Sequence, residues 1–214
     1  GSGLLAGGVV GTERAKVMVL GGGVAGKAAA DVAAGLGSDV TIFDINTERL
    51  HYLNDVTAPN VATLYSSGEA IASLLPQCDI VVGTVLIPGA KAPKLITRQM
   101  LKKMKPGSVL VDVSIDQGGC FESSHATTHT DPTFVEEGVV HYCVANMPGA
   151  YPRTSTYALT NATLPYVKAL AKFGAGEVCR ELPVMVSALN TYDGVLYNAA
   201  VGEAHGIESK SFSV

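Results

Sequence analysis

The feature that most constrains the fold is a glycine-rich turn, Gly21-x-Gly23-x-x-Gly26, placed directly between a strand pattern and a helix pattern. The strand pattern is the apolar run at 15–21, and the Ala-rich helix pattern that follows the turn ends at Gly37. In this setting the first glycine permits a tight turn, the second lets a pyrophosphate approach the backbone, and the third lets helix and strand pack closely. The segment therefore predicts a dinucleotide site, with amides at the start of the helix facing the phosphates.

Strand and helix patterns continue to alternate after this turn. Short β-branched runs predict further strands at 39–44, 60–66, 79–85, 108–114 and 138–146. Helix patterns lie between them at 47–56, 68–78 and 97–106, and a loop is expected at 86–95. Thr47 and Thr97 are the expected N-caps of the helices that they precede or open. This alternation predicts right-handed crossovers and an α/β fold, a doubly wound parallel sheet of Rossmann type.

The pattern changes after Pro152. Residues 154–174 read as one long helix, which Pro165 should bend or interrupt. The tail carries an Asp-Gly hairpin signal and then a short helix pattern. We therefore expect a dinucleotide-binding domain over 1–153 and a C-terminal helical and hairpin extension over 154–214.

An acidic residue, Asp44, ends the second strand, 18 residues after Gly26. A carboxylate at this position accepts hydrogen bonds from the hydroxyls of an adenosine ribose. It also repels a 2′-phosphate, so the residue type favours NAD over NADP as cofactor. Arg49 is a competing signal, because an arginine near the ribose accommodates a 2′-phosphate. We give the acid more weight, since Arg49 lies inside the next predicted helix.

Composition narrows the classes of partner. The net charge of −4 argues against nucleic acid and anionic membrane surfaces, because both require clustered lysine and arginine. No apolar run reaches the ~18 residues that a membrane-spanning helix needs. Four widely spaced cysteines, with no C-x-x-C pair, indicate free thiols in a reducing compartment. We therefore expect a cytoplasmic protein.

Several residues with chemical potential are expected to have ordinary structural roles. His125 and His129 are four residues apart, a spacing that chelates a metal ion on a helix. Their stretch is β-branched and ends at a proline, which disfavours a helix, so we expect no metal site. Cys120 has no evident partner base, and His141 lies within an apolar strand pattern, so both are expected to serve packing.

Two longer stretches, at 85–132 and 138–167, contain specific strings such as IDQGGC and NMPGA. They closely resemble alanine dehydrogenase, and the similarity runs from about Leu4 to the tail, weakest after Lys172. The NAD-binding component of proton-translocating transhydrogenase is related and shares the architecture. It differs through the DQGGC and NMPGA strings, so we rank it second.

The resemblance implies an oxidoreductase that interconverts L-alanine with pyruvate and ammonia, passing a hydride to or from NAD. It assigns the pyrophosphate to the glycine turn, including Val24, and the adenosine end to Asp44 and Arg49. The residues implied to flank adenine and its ribose are Ser66, Val85 and Leu86. The residues implied to cradle the nicotinamide half are Val113, Ser114, Ile115 and Asp116 on one segment, and Val144, Ala145, Asn146 and Met147 on another.

Asp116 is the residue of this set that the family treats as catalytic, and the chemistry also favours an acid there. Amine oxidation gives an iminium, which water attacks to form a carbinolamine that expels ammonia, and each step moves a proton. A carboxylate near the nicotinamide also stabilises developing positive charge. The alternative role for Asp116 is a turn or helix cap. His125 stands where relatives often carry an arginine that contacts the cofactor.

In the family, a segment of comparable size precedes the glycine turn and supplies an arginine, a lysine and a histidine for the substrate. This chain has 20 residues before Gly21. We therefore expect the cofactor-binding portion of a longer enzyme, which binds NAD but does not oxidise alanine by itself. The long helix should expose an apolar face, and the family implies a homohexamer. The alternative is the NAD(H)-binding component of a transhydrogenase, or a non-catalytic NAD-binding module.

Overall fold

The structure, a computed structural model, describes residues 1–87 and 92–212, which fall into two units. The first unit comprises residues 1–86 and 92–147, and the second contains Ile87 and residues 148–212. Residues 88–91 of the loop predicted at 86–95 lie outside the described residues, as do the last two residues of the predicted extension.

The first unit is built on a seven-stranded sheet with the order β3-β2-β1-β4-β5-β7-β6. Its strands are β1 Lys16–Leu20, β2 Asp39–Asp44, β3 Val61–Tyr65, β4 Ile80–Gly83, β5 Val109–Asp112, β6 Thr133–Glu136 and β7 Val139–Tyr142. All pairings are parallel except β6 with β7, which is antiparallel. The order reverses next to β1, so the doubly wound Rossmann-type sheet that the sequence predicts is confirmed. The edge strand β6 was not predicted.

Four helices connect these strands: α1 Val24–Gly35, α2 Thr47–Val56, α3 Gly68–Leu74 and α4 Arg98–Leu101. Thr97 caps α4 as expected, because its hydroxyl accepts a hydrogen bond from the Met100 amide at 3.2 Å. The prediction that Thr47 caps α2 is wrong. Asn46 is the cap, and its side-chain oxygen accepts from the Arg49 amide at 3.0 Å. Thr47 is the first residue of that helix.

Helix α4 is shorter than the predicted helix at 97–106. After Lys102 the backbone bonds span three residues instead of four, from the Lys103 amide to the Met100 carbonyl and from the Met104 amide to the Leu101 carbonyl. Such bonds tighten the last turn of a helix and end it. The tightening places Met104 in the core, where 6% of its surface is exposed.

Two hydrophobic clusters cover the two faces of the sheet. Met18 and Leu20 of β1 pack in one cluster with Phe43, while Val17 and Val19 pack in the other with α1 and α2. Successive side chains of a strand point to opposite faces, so an all-apolar strand must be covered on both. Strand β1 therefore lies at the centre of the core, and the glycine turn follows directly from it.

The second unit consists of α5 Pro152–Glu181, a 3₁₀ segment Pro183–Ala188, a hairpin of β8 Thr191–Tyr192 and β9 Val195–Leu196, and α6 Ala199–His205. The predicted Asp-Gly turn is confirmed, because Asp193 (φ 49°) and Gly194 (φ 73°) connect the hairpin strands. The long helix does leave its helical geometry, but at Gly174 (φ 75°, ψ 169°) and not at Pro165. A positive φ is cheap for glycine, whereas Pro165 keeps helical dihedrals.

Apolar side chains lie exposed along α5, as predicted. Leu159 is 64% exposed, and Tyr166 and Leu170, on the same side of the helix, are 44% and 41% exposed. Among the described residues, no helix combines the length and the apolar character that crossing a bilayer requires.

Candidate functional site

The glycine turn after β1 has the geometry that requires glycine at two positions. Gly21 has φ of 99°, and its amide donates to the Phe43 carbonyl at 2.8 Å, which ties the turn to β2. A Cβ at Gly26 would lie 1.8 Å from the carbonyl oxygen of Gly21. Helix α1 therefore approaches the turn too closely for any side chain at Gly26.

Gly23 is different, because it faces open space. Apart from Gly23 itself and its two neighbours in the chain, no described residue has an atom within 4 Å of a Cβ built there. Helix α1 starts at the next residue with no side-chain cap among the described residues and no acidic residue in its first turn. Its first amides have no partner within the helix and carry the positive end of the helix dipole. The turn thus presents the first amides of α1 beside an open space, and a side chain at Gly23 would project into that space.

Asp44 is fixed at the end of β2 by backbone amides. Its Oδ2 accepts from the Gly22 amide at 2.7 Å, and its Oδ1 accepts from the Asn46 amide at 2.8 Å. The residue is half-buried. A carboxylate has about four lone-pair sites on its two oxygens. Asp44 therefore keeps capacity to accept the hydroxyls of a ribose while it holds the glycine turn in place.

Arg49 also contacts the glycine turn. Its Nε donates to the Gly22 carbonyl at 2.6 Å, and its Nη2 donates to the Gly23 carbonyl at 3.4 Å. The guanidinium lies over the ring of Tyr52, 4.8 Å from the centroid. Asp44 and Arg49 thus hold the same turn through groups of opposite charge: the Asp44 carboxylate accepts from a backbone amide, and the Arg49 guanidinium donates to backbone carbonyls.

The residues predicted to flank adenine follow the neighbouring strands β3 and β4. The Ser66 amide donates to the Asp44 carbonyl at 2.9 Å, so Ser66 adjoins the proposed ribose ligand. Leu86 is 66% exposed, and the Val85 carbonyl accepts from the Ser114 hydroxyl at 2.8 Å. These residues occupy the carboxyl edge of the sheet, where doubly wound folds bind ligands.

The two segments predicted for the nicotinamide half meet at Asp116 and Asn146. Asp116 lies exposed on a 3₁₀ turn, Ile115–Gln117, and its Oδ1 accepts from the Asn146 amide at 3.3 Å. Asn146 has a φ of 53°, a left-handed conformation that asparagine adopts more readily than most residues. A ring nitrogen of His129, Nε2, lies 3.1 Å from the Asn146 carbonyl and donates to it. His129 was not predicted to support the site.

Asp112 is a second residue that sequence reasoning missed. It is fully buried at the end of β5 and accepts hydrogen bonds from the Cys120 amide at 2.9 Å and the Ser124 hydroxyl at 2.5 Å. It also accepts from the Ser114 amide at 3.0 Å. The available signal was an acidic residue within the apolar run of a predicted strand, which must find partners if it is buried.

The other residues considered for chemistry pack against protein. His125 stacks on Phe134 at 3.7 Å. His141 is buried, with Nδ1 donating to the Val139 carbonyl and Nε2 accepting from the Ser123 hydroxyl at 2.8 Å. Burial lowers its pKa below 6.5.

Cys120 is completely buried beside Asp112. Burial, and then the charge of Asp112, raise the pKa of the thiol well above its ordinary value. A thiol in this state does not ionise near neutral pH and is a poor nucleophile. Across the residues that the structure describes, no group of three histidine, cysteine or acidic side chains is placed to hold a metal ion.

Comparison with known proteins gives consistent matches. Residues 1–199 match the family described as alanine dehydrogenase/PNT, C-terminal domain. An alanine dehydrogenase from Geobacillus stearothermophilus is 54% identical over 208 residues, which cover 97% of this chain and 56% of that protein. A solved L-alanine dehydrogenase has a TM-score of 0.85 at 46% identity and covers 96% of this chain and 57% of its own. A transhydrogenase from Sinorhizobium meliloti has a TM-score of 0.67 at 27% identity, covering 76% of this chain and 47% of its own.

The sheet order and the glycine turn define the class of the first unit, a doubly wound α/β domain of Rossmann type. The chain belongs to the alanine dehydrogenase/PNT C-terminal domain family. The resemblance drawn from the IDQGGC and NMPGA strings is thereby confirmed. The chain spans 56% of the length of its Geobacillus stearothermophilus relative.

Proposed function

We propose that this chain is the NAD-binding portion of an alanine dehydrogenase, an enzyme that converts L-alanine reversibly to pyruvate and ammonia. The observation that carries the proposal is the arrangement around the start of α1. Free amides face an open space at Gly23, and the Asp44 carboxylate is bonded to the adjacent Gly22. Family membership supports the same reaction.

NAD would be held by groups from the ends of six strands, β1 to β5 and β7, and would accept a hydride from the substrate. The glycine turn and Val24 would bind the diphosphate, and Asp44 the adenosine ribose, with Arg49 and Ser66 beside it. Val85 and Leu86 would flank the adenosine, and the nicotinamide half would lie against the Val113–Asp116 and Val144–Met147 segments. The Asp44 carboxylate would disfavour NADP, since a 2′-phosphate would bring two negative charges together.

Asp116 would transfer protons and stabilise positive charge near the reacting carbon. Its carboxylate is exposed on one side and receives the Asn146 amide on the other, so it is oriented but still accessible. Such a group accepts and returns protons as water adds to the iminium and ammonia departs. Its negative charge also stabilises the cationic iminium.

The groups that bind the substrate would come from a segment outside these 214 residues. We propose that residues 154–214 complete the substrate domain of a longer chain, and that the enzyme assembles as a homo-oligomer, a hexamer by family resemblance. A reducing cytoplasmic location agrees with four free cysteines, all buried. On this proposal the 214-residue chain binds NAD but does not turn over alanine.

The decisive experiment compares the full-length gene product with an Asp116→Asn variant. We expect alanine-dependent reduction of NAD by the parent and a loss of roughly 10²–10⁴-fold in kcat for the variant, the usual contribution of a general acid–base group. Asp131→Asn, an exposed acid in the loop before β6, is the control and should retain activity. Absence of alanine-dependent turnover in the full-length protein would refute the proposal.

The second candidate, a nucleotide-binding component of a transhydrogenase, rests on the similarity to the Sinorhizobium meliloti structure. It predicts NAD binding as well, so affinity does not separate the two. Hydride exchange between two nicotinamide nucleotides in the full-length protein, without alanine oxidation, would favour it.

A further inference from the structure

The loop that follows Asp116 is held by the ammonium group of Lys94, a residue for which the sequence predicts no role. Lys94 Nζ donates to the carbonyl oxygens of Gly118 at 2.6 Å, Gly119 at 2.8 Å and Phe121 at 3.1 Å. An ammonium group has three donors, and here each has an acceptor. Gly118 and Gly119 have φ of 88° and 73°, a left-handed pair that turns these carbonyls toward one point.

The backbone around Lys94 fixes the position of the ammonium group. The Ala92 amide donates to the Gln117 carbonyl at 3.1 Å, and the Leu95 amide donates to the Cys120 carbonyl at 2.8 Å. The segment that carries Lys94 therefore runs beside the loop and is bonded to it on both sides of the lysine. Within the described residues, the ion pairs do not include Lys94. Its charge acts on the loop carbonyls.

Asp112 holds the same loop from inside the protein. Its buried carboxylate accepts the Cys120 amide and the Ser124 hydroxyl, just beyond the two glycines, and the Ser114 amide just before Asp116. Hydrogen bonds to a charged group are stronger than neutral ones. The loop is thus fixed between an anion on its buried side and a cation on its outer side.

We propose that Lys94 is a positioning residue for the nicotinamide half of the site, an inference that rests on the proposed function. By holding the carbonyls of Gly118, Gly119 and Phe121, it fixes the loop that begins at Asp116. Lys94 does not act on the cofactor or the substrate itself. Its effect reaches them through the placement of Asp116 and the segment before it.

The proposal predicts that losing Lys94 affects one end of the dinucleotide and not the other. The adenosine end lies at the glycine turn and Asp44, which make no hydrogen bond to the Lys94 loop within the described residues. Without the ammonium, the three carbonyls turn to water and the outer side of the loop is less firmly held, while Asp112 still holds its buried side. Binding of the nicotinamide ring should weaken, while binding of ADP-ribose, which lacks that ring, should not.

The test measures the dissociation constants of NADH and ADP-ribose for the 214-residue chain and three variants by calorimetry. For Lys94→Met we expect NADH to bind ~10-fold more weakly, equivalent to about 1.4 kcal/mol, and ADP-ribose to bind as in the parent. Lys94→Arg keeps the charge and several donors and should restore much of the NADH affinity. Lys103→Met, at an exposed lysine after α4, removes the same charge and should bind both ligands normally.

The outcomes separate this inference from the proposed function. If Lys94→Met binds NADH like the parent, or loses both ligands equally, Lys94 is not a positioning residue for the nicotinamide half. If the parent binds ADP-ribose and NADH with equal affinity, the loop makes no contribution to nicotinamide binding and the inference fails. If the parent binds neither ligand, the proposed function itself fails. Circular dichroism melting of each variant establishes that it is folded.

Discussion

At the scale of single residues, Asp44 and Asp112 have the same structural role: each carboxylate accepts backbone amides at the end of a strand. Each carboxylate accepts the amide two residues further on, from Asn46 and Ser114, and a second amide from another part of the fold. They differ in exposure. Asp44 is half-buried and retains capacity for a ligand, whereas Asp112 is completely buried and serves the protein.

Replacing Asp44 should change both the affinity and the choice of cofactor. In Asp44→Ala we expect NAD binding to weaken by roughly 10- to 100-fold, because charge-assisted hydrogen bonds contribute about 1.5–3 kcal/mol. Binding of NADP should weaken less or improve, since the repelling carboxylate is gone and Arg49 remains. Titration calorimetry with both nucleotides measures the ratio. Asp55→Ala, at an exposed acid on α2, is the matched control, and an unchanged ratio in Asp44→Ala would contradict the assignment.

The glycines of the turn should separate into structural and binding positions. Gly26→Ala would force a methyl group to 1.8 Å from the Gly21 carbonyl, so we expect unfolding to become easier by several kcal/mol. Gly23→Ala places its methyl group in open space, so the free energy of unfolding should change by less than about 1 kcal/mol. It should nevertheless abolish NAD binding, because the methyl group occupies the proposed diphosphate space. Urea unfolding and nucleotide titration of both variants provide the comparison.

At the scale of elements, the sequence correctly predicted those features whose conformation depends on residues that are close together in the chain. The strand–turn–helix around the glycine turn, the Thr97 cap and the Asp-Gly hairpin all depend on neighbouring residues and are confirmed. Strand β6 was missed because it is four residues long, lies at the edge, and joins β7 through a Glu137-Gly138 turn, a weaker hairpin signal than Asn-Gly or Asp-Gly.

The contacts of Lys94 and Asp112 show the limit of such prediction in the candidate site. Lys94 contacts carbonyls 24 to 27 residues further along the chain, and Asp112 contacts a hydroxyl 12 residues away. Local periodicity gives no information about those partners. The backbone leaves helical dihedrals at Gly174, where the predicted helix ends, whereas Pro165 does not interrupt the helix, because proline removes one hydrogen bond but keeps a helical φ.

The buried side chain of His141, on strand β7, should make the free energy of unfolding depend on pH in mild acid. Its pKa is lowered from 6.5 mainly by burial, with the charges of His125 and Arg98 acting in the same direction and the Val139 carbonyl and Asp112 opposing them. The unfolded chain therefore binds this proton more readily. Stability from the neutral ring is complete above pH 6.5 and is lost as the pH falls below it, by at most about 1.4 kcal/mol per pH unit.

Urea unfolding between neutral pH and pH 5 measures this dependence. His141→Gln should remove that component of the slope, whereas His51→Gln, at an exposed position on α2, should leave it unchanged. The NMR titration of the His141 ring gives an independent reading in the parent chain. A midpoint at or above 6.5 would contradict the prediction.

At the scale of the whole molecule, the apolar side of α5 should make the chain self-associate. Leu159, Tyr166 and Leu170 present exposed apolar surface on one side of the helix. Contiguous apolar patches of this kind mark interaction surfaces. We expect sedimentation velocity to show association that grows with protein concentration, and the double variant Leu159→Gln, Leu170→Gln to weaken it ~10-fold or more.

Lys168→Gln, an exposed substitution on the same helix, is the control for the association experiment. It changes a polar side chain and should leave the dissociation constant near that of the parent. A chain that stays monomeric throughout would show that this surface does not attract a second copy.

Because all four cysteine thiols are buried, the rate at which each is chemically labelled reports local opening of the structure around it. Cys78, Cys120 and Cys143 sit within the first unit, and Cys179 within the second, each no more than 2% exposed. An alkylating reagent can reach a sulfur only after the surrounding segment has opened. Mass spectrometry of timed labelling would therefore report, from a single untagged sample, how often each unit opens locally. It would also show whether a bound nucleotide reduces the opening of one unit alone.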